Sequence, residues 1–70
     1  QRYTEAVQHL SKALTLNPYY ANAHNNLGAA LQLQGRIEEA IEQFSAALKI
    51  NPAYKSARFN LEKSLKALNN

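Results

Sequence analysis

A period of 34 residues constrains this chain more than any other feature of its sequence. Offset against itself by that amount, the 70-residue sequence gives 36 pairs of positions, about a third of them identical. Random pairing at ordinary composition would give about three. The identities include Glu5/Glu39, Ala6/Ala40, Ser11/Ser45, Ala13/Ala47, Leu14/Leu48, Asn17/Asn51, Pro18/Pro52, Tyr20/Tyr54, Ala23/Ala57, Asn26/Asn60, Leu27/Leu61 and Leu31/Leu65. The chain therefore holds one full repeat with a half-repeat on either side. Units of this length are supersecondary pieces that bury their apolar faces by stacking on neighbours, which suits a chain too short to gain much from an isolated core.

Within each period the apolar spacing is helical. Ile37, Ala40, Ile41, Phe44, Ala47 and Leu48 step by three and four and build one face. Val7, Leu10, Ala13 and Leu14 do the same one period earlier. Ala23, Leu27, Ala30 and Leu31 make a second stripe, echoed by Ala57, Leu61, Leu65 and Leu68. Pro18 and Pro52 push Asn17 and Asn51 out of the α region and end a helix before them. Gly35 follows Leu33-Gln34, where a helix C-terminus needs a left-handed residue. The pattern predicts helices over 2–16, 20–34, 37–50 and 54–68. Turns this short make neighbouring helices antiparallel, so the fold class is all-α.

Composition narrows the chemistry. There is no Cys, which excludes a disulfide framework and thiolate metal sites, and every acidic residue is Glu. The absence of Cys is compatible with the cytoplasm without fixing a compartment. No apolar run approaches the roughly 20 residues that span a bilayer, so no membrane partner is expected, and Gln1-Arg2-Tyr3-Thr4 does not open like a secretory signal. The net charge of +3 is unevenly placed. Residues 1–54 are balanced, whereas Lys55, Arg58, Lys63 and Lys66 face Glu62 alone in residues 55–70.

The period and its fixed small residues resemble the tetratricopeptide repeat, whose signature is W-x2-L-G-x2-Y…A-x3-F…P. Over residues 21–54 the matching positions read His24, Leu27-Gly28, Leu31, Ala40, Phe44 and Pro52, with His24 and Leu31 replacing aromatics. The resemblance covers essentially the whole chain: 1–20 as the second helix of a truncated repeat, 21–54 as a complete repeat, 55–70 as a terminal or capping helix. It implies four antiparallel helices in a right-handed superhelix, an α-α solenoid. Gly28, Ala40 and Ala47 are expected to let helices approach closely while Phe44 fills the remaining gap. Glu62 stands where Gly28 stands one period earlier, and a charge there suggests a solvated cap. The N-terminal half-repeat reads as cut from a longer array, with its Val7/Leu10/Leu14 face partly uncovered and open to another copy.

The resemblance also implies a site. In this family the first helix of each repeat lines a concave groove that holds extended peptides or partner segments. By position the groove residues are Asn22, Asn25, Asn26, Ala29 and Gln32, with Ser56, Phe59, Asn60, Lys63 and Lys66 from the next repeat. Asn26 and Asn60, one period apart, would stack as a ladder whose amides suit a peptide backbone. That pattern is similar to the repeats of O-linked N-acetylglucosamine transferase. The competing reading has each Asn bonded to a neighbouring helix turn. Chaperone-binding members clamp a C-terminal carboxylate, but at the matching places this chain has Asn25, Ala29, Asn26, Ser56 and Asn60, and only Asn26 agrees. Such a clamp is not expected.

Phe59 could anchor a partner side chain, though shielding the end of the core is the simpler role. Tyr20 and Tyr54 are expected to pack at the start of each first helix. The cations of residues 55–70 come without an aromatic platform or RNA-binding signature, so nucleic acid is not an expected partner. His9 and His24 fall on different helices, and with neither Cys nor Asp no metal set, cofactor or catalytic centre is expected. Glu38, Glu39 and Glu42 lie in the first turns of a helix, where carboxylates complement its dipole. The sequence thus points to a non-enzymatic module that binds a protein or peptide. Two alternatives are a substrate-recruiting segment of a larger enzyme such as a glycosyltransferase, and a self-assembling scaffold element.

Overall fold

The computed structural model describes residues 2–69. Four helices follow in order: α1 (Arg2–Leu16), α2 (Ala21–Leu33), α3 (Ile37–Ile50) and α4 (Lys55–Asn69), with no strand among the described residues. Each boundary lies within one residue of the spacing-based expectation. Tyr20 is the extended N-cap of α2 (φ −87°, ψ 94°). Tyr54 likewise lies in the turn before α4.

The turns are built twice from the same parts. Asn17 and Asn51 each accept, through the side-chain oxygen, the backbone N–H two residues on: Tyr19 at 3.3 Å and Ala53 at 3.2 Å. Their carbonyls accept from Tyr20 at 3.3 Å and Tyr54 at 3.0 Å, closing four-residue turns. Asn51 is extended (φ −135°), as a residue before proline must be. The α2–α3 turn is different. Gly35 takes φ +80°, while its N–H donates to Gln32 O at 3.0 Å and Arg36 N–H to Leu31 O at 2.9 Å. This is the paired bonding of a Schellman motif, open to glycine because it lacks a Cβ.

These turns fold the chain into two layers. α2 packs on α1 and α3, α3 packs on α4, and α2 meets α4 along a narrower seam. α2 and α4 thus form one layer and α1 and α3 the other, in a slab 34 × 31 × 14 Å between Cα extremes. Leu27, Leu31, Ala40 and Phe44 form the core, with Val7, Leu10, Leu14 and Leu61 packed against it. Ala23, Ala30, Ala47 and Ala57 are also buried, so much of the interior is backbone approaching backbone across methyl groups. Phe44, fully buried, supplies most of the bulk, and its burial contributes about 2–3 kcal/mol.

Phe44 lies directly over Gly28. A Cβ at Gly28 would stand 2.5 Å from Phe44 Cε1, 2.7 Å from Cδ1 and 2.9 Å from Cζ. Here the glycine provides room for a ring. At the equivalent place on α4, Glu62 is exposed.

The outer helices of the slab are less covered. α1, with α2 as its neighbour, has no fully buried residue. On α4, Leu65 and Leu68 remain 42% and 47% exposed, whereas Leu31, the counterpart of Leu65, is buried in the core cluster with Leu27, Ala40 and Phe44. Ser64 is fully buried in the place that Ala30 holds one period earlier, and its hydroxyl has no hydrogen-bond partner. The tyrosines also differ, contrary to their shared expectation. Tyr54 is half-buried and bonded to α2, while Tyr20 is exposed because no earlier inner-layer helix stands beside it among the described residues. Among the described residues no helix is long and apolar enough to cross a membrane.

Candidate protein-interaction face

The face of α2 and α4 that points away from α1 and α3 carries some of the residues placed in a groove by the sequence. Helical periodicity puts Asn22, Asn26, Ala29, Lys55, Ser56 and Phe59 off the core stripes, and α2 and α4 lie side by side because their turns return the chain to the same layer. Between the two helices opens a hollow of about 560 Å3, lined by Asn25, Asn26, Ala29, Lys55, Ser56, Phe59 and Asn60. Phe59 is 65% exposed. It also walls a second hollow of about 380 Å3 with Glu62, Lys63 and Lys66 on the far side of α4. Gln32 is half-buried and lines neither hollow.

The amides are arranged differently from the expected ladder. Asn60 Nδ2 donates to Asn25 Oδ1 at 3.1 Å, and Asn25 Nδ2 donates to the Tyr54 hydroxyl at 3.3 Å. The Tyr54 hydroxyl in turn donates to Asn22 Oδ1 at 2.6 Å. This relay crosses the α2–α4 seam and occupies both polar atoms of Asn25, which is only 8% exposed. Asn25 is therefore a tie between repeats and not an open groove side chain. Asn60, half-buried, is paired with Asn25 rather than stacked on Asn26. Asn26 stands outside the relay and is exposed. A satisfied relay of this kind fixes helix offset, because any slip leaves Asn25 unpaired in the interior.

A second tie also recurs by period. His24 Nε2 donates to Pro18 O at 2.8 Å, with Nδ1 2.8 Å from the Gln43 side-chain oxygen. One period later Arg58 donates to Pro52 O at 3.4 Å. Both side chains reach back to the carbonyl of the proline that precedes their helix. Arg58 therefore braces a turn, which leaves Lys55, Lys63 and Lys66 as the exposed cations of the inner face.

One ion pair lies outside this face among the described residues. Arg36 grips Glu39 through Nε to Oε1 at 2.8 Å and NH2 to Oε2 at 2.7 Å, at the start of α3. The hydrogen bond from Arg36, helped by its positive charge, holds the Glu39 carboxyl below the usual carboxylate range, and Glu39 raises the guanidinium in return. No cluster of three His or Glu side chains that could hold a metal occurs among the described residues.

The relay residue that sequence reasoning assigned only to packing is Tyr54. Its signal was present in the Tyr20/Tyr54 identity, but the partners lie across the seam, at separations of 29 and 32 residues. Two family models match the chain between residues 1 and 54. The family described as TPR repeat matches residues 1–35, and that described as Tetratricopeptide repeat matches residues 21–54. Curated proteins give no match to the chain.

Proposed function

Because the chain belongs to the tetratricopeptide repeat family, whose repeats are in general protein–protein interaction modules, we propose that it binds a partner segment on the α2–α4 face. The observation that carries this reading is the hollow of about 560 Å3 between those helices, which combines an exposed amide (Asn26), an exposed aromatic ring (Phe59) and flanking polar groups. A concave surface that joins an apolar anchor to a few polar groups is the form a peptide site takes. The relay beneath it holds α2 and α4 at a set offset, so the face is organised before a ligand arrives, which lowers the ordering cost of binding.

The test is a selection of peptides from a random library on the folded chain, followed by three variants. Asn26→Arg and Ala29→Arg fill the hollow, while Ser45→Arg places the same charge and bulk on exposed α3. The selected peptides should lose binding to the first two and keep it with the third. Equal binding to all three would refute the α2–α4 site.

A second reading, association of copies, is favoured by the exposure of Leu65 and Leu68 on α4 and the incomplete cover of Val7, Leu10 and Leu14 on α1. Glu62, one turn before Leu65 on α4, opposes it, since a charge enclosed without a partner is costly. Sedimentation velocity across a hundredfold concentration range decides this. A constant sedimentation coefficient removes the second reading, and a rising one supports it.

A further inference from the structure

We propose that the partner segment is an acidic, extended peptide laid along α4, with an apolar side chain on Phe59 and a carboxylate on each side of it. The inference rests on the α2–α4 reading above and adds the chemistry of the ligand.

Phe59 is the common wall of the hollow between α2 and α4 and of the one beyond α4, so a side chain resting on its ring is flanked by cavity on both sides. The counterpart of Phe59 one period earlier, Asn25, is overlain by Tyr54 and Asn60. At Phe59 the equivalent position is exposed and carries an aromatic ring in place of an amide, so what it presents to a partner is apolar.

The charges flank this ring in register. Lys55 and Lys63 lie four residues before and after Phe59, and Lys66 lies seven after, all on exposed α4 positions. Glu62 is the single acidic residue of that helix. Arg58 is turned to Pro52 and takes no part. An α-helix advances about 1.5 Å per residue, so Lys55, Phe59 and Lys63 are spaced by about 6 Å along it. Alternate residues of an extended peptide, which point to the same side, are spaced by about 6.6 Å. The two ladders keep step over this distance. The pattern that fits is Glu-x-Leu-x-Glu, where the central Leu meets Phe59 and each Glu meets a lysine. Phosphodiester backbones would also seek the lysines, but this face offers a single exposed ring rather than a succession of stacking platforms.

The experiment is a fluorescence-polarisation titration of the whole chain with two labelled peptides, Gly-Glu-Ser-Leu-Ser-Glu-Gly and its Gln-for-Glu counterpart. The acidic peptide should bind about three- to tenfold more tightly than the neutral one at low salt. Screening should shrink that margin in high salt. Phe59→Ala should weaken the acidic peptide about tenfold. Lys55→Ala/Lys63→Ala should bring its affinity to that of the neutral peptide. All these residues are exposed, and far-UV circular dichroism checks that each variant remains folded. Equal affinity for the two peptides overturns the acidic preference and leaves the binding face standing. Failure of both peptides, while library-selected peptides still bind, overturns this proposal alone. Tighter binding of an oligo-uridine that Phe59→Ala does not weaken overturns it in favour of nucleic acid.

Discussion

Replacing Gly28 with alanine isolates the closest approach in the fold. In a helix the substitution alone would stabilise by about 1 kcal/mol, because alanine loses less backbone entropy on folding. The structure opposes that gain. The new Cβ would stand 2.5–2.9 Å from three atoms of the Phe44 ring, where ordinary contact is 3.4–4 Å. Phe44 is fully buried among Leu27, Leu31 and Ala40 and has no free direction in which to retreat. Overpacking of this kind costs about 1–3 kcal/mol, and three simultaneous overlaps point to its upper half, so the net loss should be about 1–2 kcal/mol. For a domain of this size each kcal/mol moves the melting temperature by about 4–8 °C. The control is Phe44→Leu, which removes the ring and places there the residue that α1 carries at the equivalent Leu10. In that background Gly28→Ala should reverse sign and stabilise by up to about 1 kcal/mol, since only the helix preference remains. Urea unfolding followed by circular dichroism at 222 nm reads the parent and the three variants. Stabilisation by Gly28→Ala in the parent would refute the argument that the glycine is there to seat Phe44.

Other expectations follow from the same packing. Ser64→Ala should raise stability by about 1–2 kcal/mol, because it removes a buried hydroxyl without a partner and improves helix preference; an unchanged or lower urea midpoint would contradict this. Tyr54→Phe should cost about 1–3 kcal/mol, since it strips the acceptor from buried Asn25 and the donor from Asn22 while keeping the ring; a loss within experimental error would show the relay to be idle. Glu39 has a depressed pKa in the folded state, so its contribution is present above the ordinary carboxylate range and lost as pH falls through the folded value. The melting-temperature gap between the parent and Glu39→Gln should therefore be positive at pH 7 and close at pH 2, and a gap that widens in acid would contradict the Arg36–Glu39 pairing.

The helices and their order were legible in the sequence because both depend on short-range rules. Periods of three and four set the helices, Asn-Pro and Gly35 set their ends, and the 34-residue offset made each element evidence for its counterpart. The candidate site was legible in part. Asn26, Ala29, Ser56 and Phe59 meet in one hollow, as their positions implied, but Asn25 lies inside the seam. Repetition gives no warning of this, because the residue one period on is Phe59, which is exposed. Whether position 25 is covered depends on the neighbouring inner helix, and the pairing Asn60–Asn25 spans 35 residues, one more than the period. The buried place of Ser64 was marked by Ala30 in the preceding repeat. Arg58, counted with the free cations, was marked by His24, yet its bond to Pro52 requires the geometry of the turn.

The central claim is that partners meet the α2–α4 face, and chemical-shift mapping of an isotope-labelled chain with a library-selected peptide tests it most directly. The account predicts that the amides of Asn26, Ala29, Ser56, Phe59 and Lys63 shift together and saturate along one binding curve. Shifts concentrated instead around Tyr19, Lys49 and Ile50, which line a hollow beside the α1–α2 turn, would contradict it.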